Sequence, residues 1–288
     1  MGSAIDVIVL ADSLNQGTGD RLTTFLLPRF PRCLLAELNT HRVLSRNAES
    51  SRAIPIAKRI QKIQADPYIP TFTANQRGMV GREMDAIATA QASEYWLSAM
   101  AAAIAHAEKL SAIDTHKDMA NRLLEPFARV PVLVSGSNWD NFFDLRTAEN
   151  VNPDFREVAI TMQDIYQQHS PQSVPAGGVH IPFDPHWQID LSTGNLTPQS
   201  LNLPIRERLM VSAARCARLS YAQFDGTSDI AKDRELGHKL MADKHWSPFE
   251  HQAIALPRHS KLATANLNGW VSQRTLYEVQ TELTFLEI

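Results

Sequence analysis

The chain of 288 residues carries a formal net charge of −3, which leaves no overall basic surface of the kind that binds nucleic acid. Its 44% hydrophobic and 20% charged residues are typical of a globular protein, and no apolar stretch approaches the roughly 20 residues of a membrane-spanning helix. Two cysteines, Cys33 and Cys216, form neither a disulfide framework nor a metal motif, so we expect a reducing compartment, the cytoplasm.

The first half of the chain alternates short apolar runs, prolines and helical spacings. In chain order these patterns predict a strand at 22–27, a helix from about 32 into the next polar run, a helix at 55–64, a loop at 67–81, a helix at 82–110 and a helix with Asp114 as its N-cap. Ile87 and Tyr95 lie on an apolar stripe of the long helix, which we expect to pack closely. The run at 130–134 is either a short strand or a buried helical turn.

The second half begins with a strong helix signal. Asn152 and Pro153 predict the start of an amphipathic helix whose buried stripe runs from Phe155 to Tyr166. Residues 167–204 are rich in proline, glycine and polar side chains, which predicts a linker. The remaining patterns predict helices at about 205–218 and 228–244, a strand at 252–256 and a final helix near 268–280.

A polar island from Glu37 to Arg52 lies between apolar segments. It combines cationic residues with short hydrogen-bonding side chains: His41, Arg42, Arg46, Arg52, Ser45, Asn47, Ser50 and Ser51. The planar fork of arginine matches a phosphate with two hydrogen bonds, and the free N–H groups of a helix N-terminus also attract anions. A solvated loop is the alternative. The apolar residues on both sides favour a site for an anionic ligand.

These residues resemble the signature of the flavin-dependent thymidylate synthase (ThyX) family, R-H-R-x-x-S-x-N-E-x-S-x-R. The aligned residues are Thr40, His41, Arg42, Ser45, Asn47, Ala48, Ser50 and Arg52. Thr40 stands where the family has its first arginine, and Ala48 where it has glutamate. The other six of these eight positions agree.

Two more family elements occur here in a changed order. Ala-Arg-Leu-Ser-Tyr at 217–221 and Ser-Pro-Phe-Glu-His at 247–251 resemble elements that precede the signature in the family, whereas here they follow it. The chain therefore resembles a circular permutation of one domain, 1–288. Its parts would be a signature-bearing part at 22–166, a linker at 167–204 that bridges the family's old ends, and 205–288 as the equivalent of the family N-terminus. The helix at 82–110 would be an insertion.

The resemblance implies an α+β fold with a mixed or antiparallel sheet flanked by helices, and a homotetramer with active sites at subunit interfaces. The implied reaction is reductive methylation of dUMP to dTMP, in which methylenetetrahydrofolate supplies the carbon and NADPH reduces FAD. One alternative is a relative that methylates or hydroxymethylates another pyrimidine nucleotide. The other is a flavin- or nucleotide-binding relative without catalysis.

The resemblance also implies roles for single residues. Arg146 and Arg52 would be catalytic. Arg146 would stabilise negative charge that develops on the pyrimidine ring, and Arg52 would hold the phosphate. The substrate-binding set is Glu37, Ser50, Ser51, Arg52, Arg122, Arg146 and Arg274. The cofactor-binding set is His41, Arg42, Val43, Asn47, Asn141, Ser220, Ser247 and Glu250. Arg274 is included because it could replace the charge that Thr40 lacks.

Local sequence patterns alone predict structural roles for these residues, without ligand binding. Arg122 would be a solvated surface residue, Arg146 a cation at a helix C-terminus, and Ser247 and Glu250 cap or turn residues. The chain lacks a complete dinucleotide-binding glycine motif, so the flavin would be held without a Rossmann unit. It also lacks H-E-x-x-H and C-x-x-C, so no dedicated metal site is expected.

Overall fold

The computed structural model describes residues 7–189, 196–221, 229–262 and 264–279. Within them the strands are β1 (Ile8–Asn15), β2 (Arg21–Pro31), β3 (Ser45–Ala48), β4 (Arg129–Gly136), β5 (Gln172–Val174), β6 (Val179–His180), β7 (Trp187–Ile189), β8 (Leu196–Pro198), β9 (Ala253–Ala255) and β10 (Trp270–Ser272). The α-helices are α1 (Leu35–Leu38), α2 (Ile56–Ala65), α3 (Ala86–Ala112), α4 (Lys117–Arg122), α5 (Asp140–Arg146), α6 (Pro153–Gln168), α7 (Ile205–Tyr221), α8 (Ile230–Ala242) and α9 (Gln273–Val279). Short 3-10 turns occupy Arg32–Leu34, Glu125–Phe127 and Ser247–Glu250.

A five-stranded sheet in the order β3-β4-β2-β1-β5 forms the centre of the fold. Its strands are antiparallel neighbours except β5, which runs parallel to β1. The structure is therefore α+β with a mixed sheet, which confirms the predicted fold class. Strand β2 continues past Pro28, where we expected it to end, because the register with β4 shifts between Leu27 and Phe30. Such an irregularity tolerates a proline that cannot donate to the ladder.

Helices cover both faces of this sheet because its buried strands are apolar on both sides. Phe25, Leu27 and Phe30 pack with the buried stripe of α6 on one face. On the other face, Leu26 and Leu133 pack against residues of α7. The α6 stripe follows the helical spacing of the sequence, and Asn152 caps the helix through its side chain, so the prediction for this helix is confirmed.

A second, three-stranded sheet has the order β10-β9-β6 and lies beside the first. The side-chain amide of Asn15, at the end of β1, donates to the carbonyls of Leu256 at 2.9 Å and Gly269 at 2.7 Å. Strands β5 and β6 come from the segment predicted as a linker and pair with β1 and β9. This segment therefore contributes strands to both sheets.

Three local predictions are wrong. The helix after Arg32 ends at Leu38, and the signature continues into strand β3 because β4 offers it an edge. Asp114 is not an N-cap; it has φ of +59°, which aspartate tolerates, and His116 caps α4 instead. The final helix begins only at Gln273, after β10.

Helix α3 is also packed differently from the prediction. Ile87 and Tyr95 are 75% and 71% exposed, and only Ile104 and Ala107 in this helix are buried. The core contact of α3 therefore lies near its C-terminal end, together with Trp96, which donates to the Tyr68 carbonyl. No helix in the described ranges has the length and apolar character needed to cross a membrane.

Candidate active site

The signature lies at the edge of the central sheet, in the turn before β3 and in β3 itself. Ser45 and Asn47 of β3 are buried opposite Ser135 and Leu133 of β4, so their polar groups face inward. The side chain of Asn266 donates to the Ser45 hydroxyl at 2.9 Å and to the Val43 carbonyl at 3.2 Å. This contact ties the loop before β10 to the signature, and sequence reasoning missed it.

Arg146 at the end of α5 is held by the signature turn. Its Nε atom donates to Nε2 of His41 at 2.7 Å, and its Nη2 atom donates to the Thr40 hydroxyl at 3.0 Å and to the Glu37 carbonyl at 3.2 Å. The guanidinium also lies 4.8 Å from the centre of the Phe155 ring. The structure thus brings together three residues expected in the site, Glu37, His41 and Arg146.

His41 is neutral in this arrangement. Burial, with the charges of Arg146 and Arg46 nearby, lowers the pKa of His41 to about 4. Because Nε2 accepts a hydrogen bond from Arg146, the ring proton lies on Nδ1. A neutral imidazole lets two arginine residues lie close to it without a third positive charge, and it fixes the direction of the Arg146 fork.

A second group of charges surrounds Glu250, the last residue of the 3-10 turn Ser247–Glu250. Arg274 of α9 donates to Glu250 and also pairs with Glu278 at 3.0 Å. Arg46 interacts electrostatically with Glu250 and donates to the His41 carbonyl. Arg274 therefore reaches the predicted cofactor-binding side, where two carboxylates share its charge. Arg46 links the two groups; the sequence placed it in the cationic island but in neither the substrate-binding nor the cofactor-binding set.

The predicted phosphate-binding residues occupy the turn after β3 and the end of α4. The Ser51 hydroxyl donates to Glu125, and Asn121 donates to the carbonyls of Ser51 at 2.9 Å and Ile54 at 2.8 Å. Arg122 is about half exposed and lies 3.4 Å from Asp118. These contacts connect the turn to α4, and no sequence signal identified Asn121 or Glu125.

The other predicted residues lie mostly at the surface. Arg42, Val43, Arg52 and Asn141 are exposed, while Ser50 and Ser247 are partly buried. Ser220 lies in α7, but its side chain falls outside the described residues.

A chain of buried hydrogen bonds anchors the 3-10 turn that carries Glu250. Nδ1 of His251 lies 2.8 Å from the Ser135 hydroxyl, which lies 2.6 Å from the Thr24 hydroxyl. Thr24 in turn lies 2.9 Å from Nε2 of His180, whose Nδ1 is 2.9 Å from the Ser13 hydroxyl. These hydrogen bonds join β1, β2, β4 and β6 to the residue that follows Glu250, so they fix the position of the turn that carries Glu250.

The two histidines in this series of hydrogen bonds, His180 and His251, are both neutral. Burial lowers the pKa of His180 to about 3, and burial with the neighbouring His180 lowers that of His251 to about 3. The Nε2 atom of His251 has no hydrogen-bond partner among the described residues. A buried N–H without a partner is rarer than a buried lone pair without one. The proton of His251 therefore lies on Nδ1, where it donates to Ser135.

The fold and this cluster define an α+β protein with a cationic site at the edge of its sheet, suited to anionic ligands. A family model described as "Thymidylate synthase complementing protein" matches residues 22–172, just over half of the 288 residues. The chain belongs to this family, the ThyX family. No curated protein matched the chain.

Solved structures with a similar arrangement of elements include enzymes of nucleotide methylation. A UMP/dUMP methylase, PolB, from Streptomyces cacaoi bound with 5-Br UMP gives a TM-score of 0.45 at 17% identity, covering 58% of this chain and 90% of that chain. A flavin-dependent thymidylate synthase ThyX from Helicobacter pylori complexed with FAD and dUMP gives a TM-score of 0.34 at 17% identity, covering 50% of this chain and 67% of that chain.

Proposed function

We propose that the protein is a flavin-dependent thymidylate synthase that methylates dUMP to dTMP, with methylenetetrahydrofolate as carbon donor and NADPH as reductant of FAD. Family membership supports the reaction class. The observation that carries the proposal is the contact between Arg146 and His41, because it turns a guanidinium toward the signature in a fixed orientation. Arg146 would hold the pyrimidine ring and stabilise negative charge that develops on it.

The described residues fit a flavin dinucleotide at this edge. Its diphosphate needs cationic and N–H donors, which the exposed Arg42 and Asn141 offer beside the signature turn. Ser247 would add a hydroxyl at the 3-10 turn, while Glu250 orients Arg274. Bound FAD would supply the redox chemistry of the methyl transfer.

The phosphate of the nucleotide would lie at Arg52 and Arg122, with Ser50 and Ser51 beside them. Asn121 supports this role because its two hydrogen bonds hold the turn at Ser51 against α4. The Glu125 carboxylate neutralises part of the local positive charge, since it accepts from Ser51 and lies 3.9 Å from Arg122. A bound phosphate would therefore depend strongly on both arginines.

Two measurements on the purified protein test the proposal. Titration with FAD should produce a saturable change in the flavin absorption spectrum. Turnover of dUMP should then require FAD, NADPH and methylenetetrahydrofolate together. A protein that binds neither FAD nor dUMP would refute the proposal. A protein that binds FAD but converts no pyrimidine nucleotide would be a relative without catalysis.

The second candidate substrate is another pyrimidine nucleotide, and the observation that supports it is the position of Thr40. The Thr40 hydroxyl accepts from Arg146 and donates to the Glu37 carbonyl at 2.7 Å, where the family signature has an arginine. The group beside Arg146 is therefore neutral. Turnover of dUMP, UMP and dCMP under identical conditions separates these substrates, and product analysis separates a methyl from a hydroxymethyl group.

We also propose the circular permutation and the homotetramer. The permutation is supported by packing, since the 3-10 turn Ser247–Glu250 lies against β3 while α7 contacts β3 and β4. The tetramer with interfacial sites is supported by the exposure of Arg42 and Val43, which a partner subunit would cover. Sedimentation analysis should give a mass of four chains, and a monomer would refute the assembly.

A further inference from the structure

One carboxylate oxygen in the 3-10 turn Glu125–Phe127 collects donors from three separate segments. Oε1 of Glu125 accepts from the Ser51 hydroxyl in the turn after β3 and from Nη2 of Arg32 at 3.3 Å. It also lies 3.9 Å from Nη1 of Arg122 at the end of α4. Hydroxyl and guanidinium groups are the donors with which proteins bind phosphate oxygens. The Glu125 oxygen therefore has the surroundings that a bound phosphate oxygen would need.

Arg32 is held in place by contacts that do not involve Glu125. Its Nη1 atom donates to the backbone carbonyl of Glu49 at 2.6 Å. The buried carboxylate of Glu49 pairs in turn with two cations of α2, Arg59 at 2.7 Å and Lys62 at 2.7 Å. Because these ion pairs fix the backbone at Glu49, the Arg32 guanidinium keeps its position whether or not Glu125 accepts from it.

The Glu125 side chain is the least constrained member of this group. It is 25% exposed, and both of its side-chain hydrogen bonds to described residues fall on Oε1. Ser51 is held independently, since Asn121 donates to its backbone carbonyl at 2.9 Å. A rotation of the Glu125 side chain toward solvent would therefore free the Ser51 hydroxyl and Arg32 without moving the turn after β3.

Such an exchange favours a ligand with more charge than a carboxylate. A phosphate monoester carries about −1.5 to −2 at neutral pH and offers three strong acceptor oxygens. It would therefore gain more from Arg32 and Arg122 than the single charge of Glu125 does. A ligand carboxylate or a neutral group would gain nothing over Glu125. An anion that bound beside Glu125 without displacing it would be repelled by the like charge.

We propose that Glu125 makes the turn after β3 specific for a doubly charged phosphate monoester, because its carboxylate competes with the ligand for Ser51, Arg32 and Arg122. The inference rests on the proposed function, which assigns the nucleotide phosphate to this turn. Arg32 then joins Arg52 and Arg122 as a phosphate-binding residue. Glu125 lowers the affinity for phosphate, whereas a carboxylate that only stabilised the turn would raise it.

The variant Glu125→Gln tests the sign of this effect. Glutamine has the shape of glutamate and can still accept from the Ser51 hydroxyl, but it carries no charge. In calorimetry on the full chain, deoxyribose-5-phosphate should bind about tenfold or more tightly to the variant, the effect of one charge-assisted contact. The affinity for uncharged deoxyribose should not change.

The matched control is Glu235→Gln, which removes the same charge at an exposed position of α8 and should bind both probes as the parent does. Phosphate affinity in Glu125→Gln that is unchanged or weaker, including no binding by either protein, would overturn the proposal.

A crystal structure of the parent with deoxyribose-5-phosphate tests the exchange itself, even if the variant does not fold. The Ser51 hydroxyl should contact the phosphate, and the Glu125 side chain should have turned away from it. A phosphate bound elsewhere, or a contact between Ser51 and Glu125 that persists beside the phosphate, would overturn the proposal.

Assays with dUMP separate this inference from the proposed function. If dUMP is a substrate, Glu125→Gln should lower KM with little change in kcat, because the carboxylate acts on binding. A raised KM with normal turnover would reject the role of Glu125 and leave the proposed function intact. If Glu125→Gln gains affinity for the sugar phosphate but neither protein binds dUMP, the proposed function fails and the role of Glu125 stands.

Discussion

Arg146 donates from Nε to Nε2 of His41 across 2.7 Å, and this contact joins the end of α5 to the signature turn. The two residues are 105 positions apart in the chain. His41 itself packs edge-on against Phe142, the ring centres being 4.9 Å apart, so the imidazole cannot turn freely. The direction of the guanidinium is thereby set by the core under α5 rather than by the ligand.

Arg146→Lys should lower the affinity for dUMP and slow turnover. Lysine keeps the positive charge but loses the planar fork that bonds His41 and Thr40 simultaneously. Loss of a charge-assisted hydrogen bond costs ~1.5–3 kcal/mol, which corresponds to a roughly ten- to hundredfold weaker affinity by calorimetry. Arg234→Lys is the control, and unchanged affinity in Arg146→Lys would contradict the role given to the fork.

Arg52→Ala and Arg122→Ala should each weaken dUMP binding while FAD binding persists. Both side chains are exposed, so their loss should leave the core intact. We expect roughly ten- to hundredfold weaker nucleotide binding in each variant, measured calorimetrically. The contrast between dUMP and deoxyuridine, which lacks the phosphate, should shrink in parallel. If both variants keep that contrast, the phosphate lies elsewhere.

Arg274→Ala should reduce turnover far more than stability. Its ion pairs with Glu250 and Glu278 are partly exposed, and such pairs contribute ~1 kcal/mol or less to folding. Removing Arg274 nevertheless takes away the guanidinium that pairs with Glu250, which alters the charge at the predicted flavin side. Lys261→Ala, at an exposed position, should change neither quantity. Full activity in Arg274→Ala would end this assignment.

Local sequence signals predicted the elements whose ends are marked by capping residues nearby in the sequence. Asn152 with Pro153 marked α6, and Pro55 lies at the cap of α2, because capping chemistry is readable within a few residues. Strand β3 was missed because the polar run Ser45–Ala48 becomes a strand only by pairing with β4, more than 80 residues away. Asp114 was misplaced because its type permits a cap, whereas its φ depends on the turn after α3.

The residues of the candidate site also divide into those that the sequence predicted and those that it did not. The cationic character of the signature was visible in the sequence, and the resemblance supplied Arg146 and Glu250. Arg46 was placed in neither binding set and Asn266 received no role, since their contacts join segments that only the folded sheet brings together. The side chain of Asn266 reaches back 221 positions to Ser45, and no local periodicity encodes such a contact.

Stability should fall as the pH drops below about 6.5. His41, His180 and His251 have pKa values of about 4, 3 and 3 in the folded protein, below the usual 6.5. Between 6.5 and those values the unfolded chain binds protons that the folded chain excludes. Over that range each histidine therefore lowers the free energy of unfolding by about 1.4 kcal/mol per pH unit. Above pH 6.5 the stabilising contribution of each neutral histidine is fully present. Urea midpoints at pH 7.5 and 5 measure the slope.

The variant His251→Gln tests the assignment of that slope. Glutamine can donate to Ser135 but does not titrate, so the loss of stability between pH 7.5 and 5 should become shallower. His238→Gln, at an exposed position of α8, should keep the parent slope. A parent protein whose urea midpoint is the same at both pH values would contradict the neutral state of the three buried rings.

The chain should unfold as a single cooperative unit. One buried cluster draws residues from every proposed part of the domain: Ile8, Leu10, Leu26, Leu133, Phe183, Cys216 and Leu219. Truncating Leu133 to alanine should destabilise the protein by ~2–5 kcal/mol, because the cavity would lie between the sheet and α7. Since residues from 1–166 and from 205–288 share that cluster, the loss of stability should appear equally in both of these parts.

Two buried tryptophans report on the two parts. Trp139 packs in the core beside α6, and Trp270 packs with β9 at the second sheet. The difference between the urea unfolding curve of the parent and that of Trp139→Phe or Trp270→Phe gives the signal of the replaced tryptophan, and adding Leu133→Ala should move both midpoints together. Limited proteolysis in the 167–204 segment should yield no fragment that stays folded. Independently stable 1–166 and 205–288 fragments, with separate transitions for the two tryptophans, would divide the chain into two domains, because neither part would then need the shared core.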